Sequence, residues 1–262
     1  MSTSPHTDYW AAQRYQIIAD QLAPISHSLC AAAGLRPGQR VLDVATATGN
    51  AAIAAAQAGC AVSAVDLDPG MIEAARQRAE THHLDVHFQV ADAQQLPFAT
   101  DTFDVVLSTY GVMFAPDHRR AATELHRVCR PGGRIVLANW TPHTLIARVF
   151  DTIAHHAPDT PDITAAAQAW GTTHGLRTLF GPDIGVTTSP CHCHIHYASC
   201  SQWAEIFTNN FGPAARVAHT RPQALRPLCD ALLELFHEYN QSDDTGARIR
   251  HDYLQALITK SS

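Results

Sequence analysis

Apolar residues recur along the first half of the chain in two alternating rhythms. From about Thr7 to Ala33, Trp10, Ile17, Ile18, Leu22, Ile25 and Leu29 return at helical spacing, which predicts a helix stopped by Gly34 and Pro37-Gly38. Val41 to Ala45 is a short run, apolar apart from Asp43, the pattern of a parallel strand buried on both faces. A helix follows over Asn50 to Ala58, closed by Gly59, then a strand over Cys60 to Asp66. Pro69-Gly70 opens a helix over Met71 to His83, Val86 to Val90 is a third strand, and Leu96-Pro97-Phe98 is a loop. Phe103 to Ser108 is the fourth strand and His118 to Val128 the next helix. Arg130-Pro131-Gly132-Gly133 ends that helix before a fifth strand, Arg134 to Ala138.

Strand and helix thus alternate five times within about 140 residues. Short links and right-handed crossovers make this an open, doubly wound α/β sheet, which binds ligands at the carboxyl ends of its strands. Asp43, Asp66, Asp92 and the segment from Ser108 to Phe114 fall at such ends.

Beyond Leu145 the pattern changes. Residues up to Phe180 read as mostly helical, broken by Pro158 and Pro161. Residues 184–197 alternate like a strand or a hairpin, 201–211 and 223–240 read as helices, and a last strand falls within 252–259. The whole chain, 1–262, is expected to be one domain, with a cofactor-binding core over about 35–140 and a cap and substrate region over about 141–250.

Composition narrows the partners. Apolar residues are 46% of the chain, enough for a sizeable core, and net charge is −6 with one lysine, Lys260. That balance argues against nucleic acid and against an anionic membrane surface. No apolar run is long enough to cross a bilayer, and the stretch from Met1 to Trp10 lacks the pattern of a signal peptide. Seven scattered cysteines fit reduced thiols, so the expected location is cytoplasmic.

The strand–turn–helix Arg40-Val41-Leu42-Asp43-Val44-Ala45-Thr46-Ala47-Thr48-Gly49-Asn50 is the front half of a nucleotide-binding βαβ unit. Its small side chains let backbone approach a ligand. Acids after the second and third strands suit a ribose and an adenine, so the implied cofactor is an adenosine. A nicotinamide dinucleotide calls for G-x-G-x-x-G, whereas here the turn is Ala45-x-Ala47-x-Gly49. Asp43 ahead of the turn repels a pyrophosphate and attracts a cationic amino-acid tail. No lysine follows Gly49, which removes the P-loop alternative.

Together these segments resemble the class I S-adenosylmethionine-dependent methyltransferases. Val41-Leu42-Asp43-Val44 with Gly49 is similar to their first motif, and Val65-Asp66-Leu67-Asp68 with Met71 to the second. Ala91-Asp92-Ala93 with Leu96-Pro97-Phe98 resembles the third, and Phe103-Asp104-Val105-Val106 and Arg130-Pro131-Gly132-Gly133 resemble the later strands. The nearest flavour is the ubiquinone/menaquinone-biosynthesis-like small-molecule branch. The match covers about residues 35–140. It implies a Rossmann-like, mainly parallel seven-stranded sheet with an N-terminal helix and a helical cap after the fifth strand.

By that resemblance, Asp43 and the backbone of Ala45, Thr46, Ala47, Gly49 and Asn50 hold the methionine part of S-adenosylmethionine. Asp66 takes the ribose hydroxyls, with Leu67 and Met71 beside the adenine side of the site. Asp92 and Ala93 contact the adenine edge, Thr109 and Tyr110 lie near the sulfonium, and Tyr15 closes over the cofactor. The product is S-adenosylhomocysteine. One position departs from the family, which usually has glycine where Ala47 stands. Alanine disfavours positive φ, so the turn is expected to keep negative φ there.

The expected function is in-line methyl transfer to a small-molecule acceptor, quinone-like or another secondary metabolite. Ser108-Thr109-Tyr110-Gly111 replaces the Asn/Asp-Pro-Pro-aromatic motif of relatives that methylate amide or adenine nitrogens. A cofactor-binding protein without methyl transfer, and a protein or RNA methyltransferase, are the alternatives. His143, His174 and Tyr15 are candidate general bases. Trp140, His143, Trp170 and His174 read either as pocket or as lid packing, and Tyr9 and Trp10 either as pocket or as helix anchors. His118 reads as a surface residue. In Cys191-His192-Cys193-His194-Ile195-His196 the imidazoles share one strand face, with alternate residues roughly 6.6 Å apart. A two-histidine metal site would need ligands from elsewhere, and a half-buried strand with a polar histidine face is preferred, with no metal expected.

Overall fold

The computed structural model describes residues 12–157, 163–182, 184–242 and 246–261. Tyr9, Trp10, the predicted start of the first helix, Pro158 and Pro161 lie outside them.

The first half follows the predicted alternation. Helix α1 (Ala12–Ala32) leads to β1 (Arg40–Val44), α2 (Asn50–Gln57), β2 (Ala61–Asp66), α3 (Pro69–Thr81), β3 (Val86–Val90), β4 (Phe103–Thr109), α4 (His118–Val128) and β5 (Cys129–Trp140). Leu42, Val105, Val106 and the run from Ile135 to Ala138 are fully buried, as strands covered on both faces require. Asp68 caps α3 by accepting from Gly70 N at 2.7 Å, and Pro69 occupies the first turn.

The second half is α5 (Leu145–His156), α6 (Ile163–Trp170), α7 (Thr173–Phe180), β6 (Gly185–Tyr197), α8 (Cys200–Asn210), α9 (Gly212–Thr220), α10 (Pro222–Tyr239) and β7 (Ala247–Thr259). All seven strands form one sheet in the order β3-β2-β1-β4-β5-β7-β6, with β7 antiparallel to both neighbours. This is the Rossmann-like, mainly parallel seven-stranded sheet that the sequence implied.

Of the two readings of the alternating stretch before Tyr197, the strand is the one formed, an edge strand of 13 residues. Three details differ from expectation. Strand β7 starts at Ala247, because every residue from Ala247 to Thr259 has a partner in β6. Helix α9, absent from the sequence reading, has Pro213 in its first turn. Strand β5 starts at Cys129, which pairs with Phe103 before a bulge that ends where Arg134 pairs with Val105.

Aromatic rings carry the one core into the second half of the chain. The Trp203 ring stacks on Phe236 at 3.4 Å and on Tyr197 at 5.3 Å, tying α8 to α10 and β6. Among the described residues no helix is long and apolar enough to cross a membrane.

Candidate functional site

Strands β1 and β4 lie side by side and end together. Ser108 Oγ donates to Val44 O at 2.8 Å and accepts from Val112 N at 3.1 Å, fixing the chain where it leaves both strands. Gly111 packs against the turn after β1 so closely that a Cβ there would lie 2.4 Å from Ala45 Cβ.

The turn itself corrects one expectation. Ala45 and Ala47 both have positive φ, 55° and 48°, and Gly49 has φ 89°. The hydrogen bonds of the turn show why negative φ at Ala47 is not adopted. Thr46 N donates to Val65 O at 2.9 Å, and Ala47 N to Asp66 Oδ2 at 2.8 Å, so successive amides are turned toward β2. Left-handed backbone costs an alanine ~1–2 kcal/mol, and the surrounding bonds offset it. Arg78 of α3 braces the far side, donating to Thr48 O and, at 3.0 Å, to Asn50 Oδ1. Asn50 in turn donates to Ala19 O of α1 at 2.6 Å.

Asp43 is buried beneath the turn. Its Oδ2 accepts from Thr46 Oγ1 at 2.6 Å and from Ala52 N, at the start of α2, at 3.0 Å. Burial outweighs these bonds and pushes its carboxyl up to about 7. Asp66 is half-buried; burial likewise pushes it up to about 6, against the amides of Asp68 and Ala47. Asp92 accepts from Gln94 N at 2.8 Å and from Gln94 Nε2. The Gln94 carbonyl groups bond to Asp117 and Arg120, which moors Asp92 to the start of α4.

Two connected features emerge. A narrow pocket of about 30 Å³ is lined by Asp43, Thr46, Thr48, Asn50 and Ser26. It shares Tyr15, Ala45, Ala47, Thr109 and Tyr110 with a cavity of about 700 Å³, within the usual range for ligand sites. Asp66, Leu67, Met71, Asp92 and Ala93 line the large cavity at the sheet end. Leu67 is 44% exposed there, an apolar shelf on its rim. Gly49 lines neither; it serves the turn, where a Cβ would sit 3.2 Å from Ala75 Cβ.

The cap end is aromatic. Tyr110 stacks on Trp140 at 4.9 Å, Phe114 meets Trp140 edge-on at 5.7 Å, and Phe150 bridges Trp140 to Phe211. Trp140 therefore lines the cavity, while Trp170 is lid packing, fully buried.

The three candidate bases fare differently. His143 and His174 are exposed, and neither lines the cavity. Tyr15 does line it, but burial and the nearby Asp66 carboxylate raise its phenol further, so it holds its proton. His118 is not a surface residue. It is half-buried, lines the cavity and accepts from Trp170 Nε1 at 2.9 Å through Nδ1. Gln21, Tyr197, Phe207, Arg216 and His251 also line the cavity and were missed. They come from α1, β6, α8, α9 and β7, so no local spacing joins them; an amphipathic pattern could have flagged only Tyr197.

On β6 the cysteines and Ile195 alternate with the histidines. Cys193 stands beside His251 in the register and His194 beside Arg250. His192 and His194 rings are 5.5 Å apart. Among the described residues no group of three His, Cys, Asp or Glu could hold a metal.

Comparison with known proteins places this geometry. The family described as a methyltransferase domain matches residues 42–137. An uncharacterized protein of Mycobacterium tuberculosis is 38% identical over 240 residues, covering 89% of this chain and 88% of its own. A demethylmenaquinone methyltransferase of a Mycobacterium species is 40% identical over 124 residues, 47% of this chain and 50% of its own. The crystal structure of the YcgJ protein of Bacillus subtilis shares the fold, with a TM-score of 0.62 and 19% identity over 90% of this chain and 98% of that one. With the adenosine-type turn, the strand-end carboxylates and the sheet order all in place, the chain belongs to the class I S-adenosylmethionine-dependent methyltransferases.

Proposed function

We propose that the protein, as one methyltransferase domain over residues 1–262, methylates a small molecule held beneath its cap. The observation that carries this is a single cavity lined both by the strand-end carboxylates Asp66 and Asp92 and by a wall of five aromatic side chains, Tyr110, Phe114, Trp140, Phe150 and Phe211. The residues present fit the cofactor. Asp43, whose carboxyl is raised by burial, gains most from a cationic amino-acid tail, and the exposed Leu67 shelf from a flat base. Asp43 and the turn amides would hold the amino-acid end, Asp66 the ribose, and Leu67, Asp92 and Ala93 the adenine.

Bound S-adenosylmethionine supplies an electrophilic methyl group on a sulfonium. The chain's own part is to position. Thr109 and Tyr110 end β4 where the narrow pocket meets the large cavity, and Trp140, Phe150 and Phe211 exclude water from the acceptor side. Holding an acceptor in line and near is the larger share of such a rate, with effective molarities reaching ~10⁵ M and above. The aromatic wall suits a flat, apolar acceptor, and the likeness to a demethylmenaquinone methyltransferase supports a small molecule.

The test is incubation with methyl-labelled S-adenosylmethionine and a small-molecule extract of cells, then with the macromolecular fraction. Label should enter the small-molecule fraction. Label confined to protein or RNA, or no transfer at all, would refute the proposal.

A further inference from the structure

Two polar groups in the cavity wall have nothing to bond. His251 of β7 is 4% exposed, and its Nε2 has no hydrogen-bond partner. The Tyr110 hydroxyl, on a residue also 4% exposed, has none either. Both residues line the large cavity. Buried polar atoms are rarely left unpaired, so two on one cavity point to a ligand.

The two residues are near neighbours. Tyr110 meets Tyr253 edge-on at 6.2 Å, and Tyr253 is two residues from His251 on the same face of β7. Cys193 is the cross-strand neighbour of His251. On its other side the His251 ring lies 6.0 Å from Trp203. The remaining polar side chains of the cap end are already engaged. Tyr197 donates to Gln21 at 2.7 Å, His118 accepts from Trp170, and Arg216 has interactions of its own.

We propose that His251 is an acceptor-binding residue, whose ring hydrogen-bonds the hydroxyl of a planar hydroxy-aromatic molecule lying along the Trp140–Phe211 wall, with the Tyr110 hydroxyl toward the cofactor end. Burial pushes the imidazole down to about 4, beyond the opposing pull of Asp252, so at neutral pH it is uncharged. A neutral imidazole offers one donor and one acceptor, which matches a phenolic hydroxyl. The inference rests on the methyl-transfer reading of this cavity.

The test uses the full chain saturated with S-adenosylhomocysteine, titrated with 2-naphthol and with naphthalene while protein fluorescence is followed. The wild type should bind 2-naphthol at least tenfold more tightly than naphthalene. His251→Phe should lose that margin and bind naphthalene as the wild type does, and His251→Gln should keep part of it. S-Adenosylhomocysteine affinity should be unchanged in both variants. The inference is overturned by a margin that persists in His251→Phe, by equal weakening of both probes, or by failure of 2-naphthol to bind the loaded wild type. Failure of S-adenosylhomocysteine itself to bind overturns the methyl-transfer reading, and this inference with it.

Discussion

The amide of Ala47 donates to Oδ2 of Asp66 at 2.8 Å, while Oδ1 of the same carboxylate accepts from Asp68 N at 3.0 Å. The acid proposed for the ribose therefore also holds the turn after β1 against the end of β2. The proposed binding role and the turn geometry thus fall on one side chain.

Replacing Asp66 with asparagine separates these duties. One oxygen remains for two amides that now compete, and the new NH₂ faces a donor. A buried polar group left unsatisfied costs ~1–3 kcal/mol. The variant should lose stability of that order in urea denaturation. Its affinity for S-adenosylhomocysteine by calorimetry should fall by more than tenfold, ~1.4 kcal/mol. Wild-type affinity in Asp66→Asn would exclude the ribose role.

The left-handed Ala47 gives a different signature. Glycine adopts positive φ without steric penalty, but it adds freedom to the unfolded chain. Ala47→Gly should stabilise the protein by no more than about 1 kcal/mol. The φ of 48° is held by the bonds of Thr46 N and Ala47 N to β2, so its strain should cancel from the binding equilibrium. Affinity for S-adenosylhomocysteine should stay within about threefold of wild type. A larger gain would mean that the alanine methyl obstructs the ligand.

What the sequence revealed follows how local each signal is. Asp66 and Asp92 are legible because each follows a strand-like run, and Asp43 because it is the one acid in an apolar run just before the turn; strand ends in such sheets are where ligands gather. The sign of φ at Ala47 is not, because it is set by Asp66 and Val65 on a neighbouring strand. The acceptor side was hardest. His251 sits just before the segment read as the last strand, and only its pairing with Cys193 and its packing on Trp203 put it on the cavity. His143 and His174 lie beyond the fifth strand's exit along the chain, yet both are exposed to solvent.

Gly111 is fixed by contact rather than by φ. A Cβ there would meet Ala45 Cβ at 2.4 Å and Ala45 O at 2.7 Å. Gly111→Ala should cost ~1–3 kcal/mol of stability, the range for overpacking. Adding Ala45→Gly should restore only part of it, because the carbonyl clash persists. Full rescue would show that the backbone of the turn moves freely, contrary to the bonds that hold it.

Asp43 and Asp66 make pH the most direct probe of the cofactor end. Burial raises their carboxyls from 3.8 to about 7 and about 6. A raised carboxyl favours the folded state while protonated. Its contribution is fully present below the unfolded value near 3.8 and is lost as pH rises through 6 to 7. At ~1.4 kcal/mol per unit, Asp43 alone amounts to ~4 kcal/mol across that window. Asp43→Asn keeps an oxygen for Thr46 and Ala52 but cannot titrate. The stability of the wild type relative to this variant should therefore fall between about pH 4 and pH 7. Ligand binding should run the other way. A cationic tail near Asp43 and ribose hydroxyls on Asp66 favour the ionised carboxylates, so S-adenosylhomocysteine should bind more tightly as pH rises from about 5 to 7.5 and release protons on binding. Calorimetry in buffers of different ionisation enthalpy measures that release directly. An affinity flat over this range, with no proton release, would mean that neither carboxylate meets the cofactor.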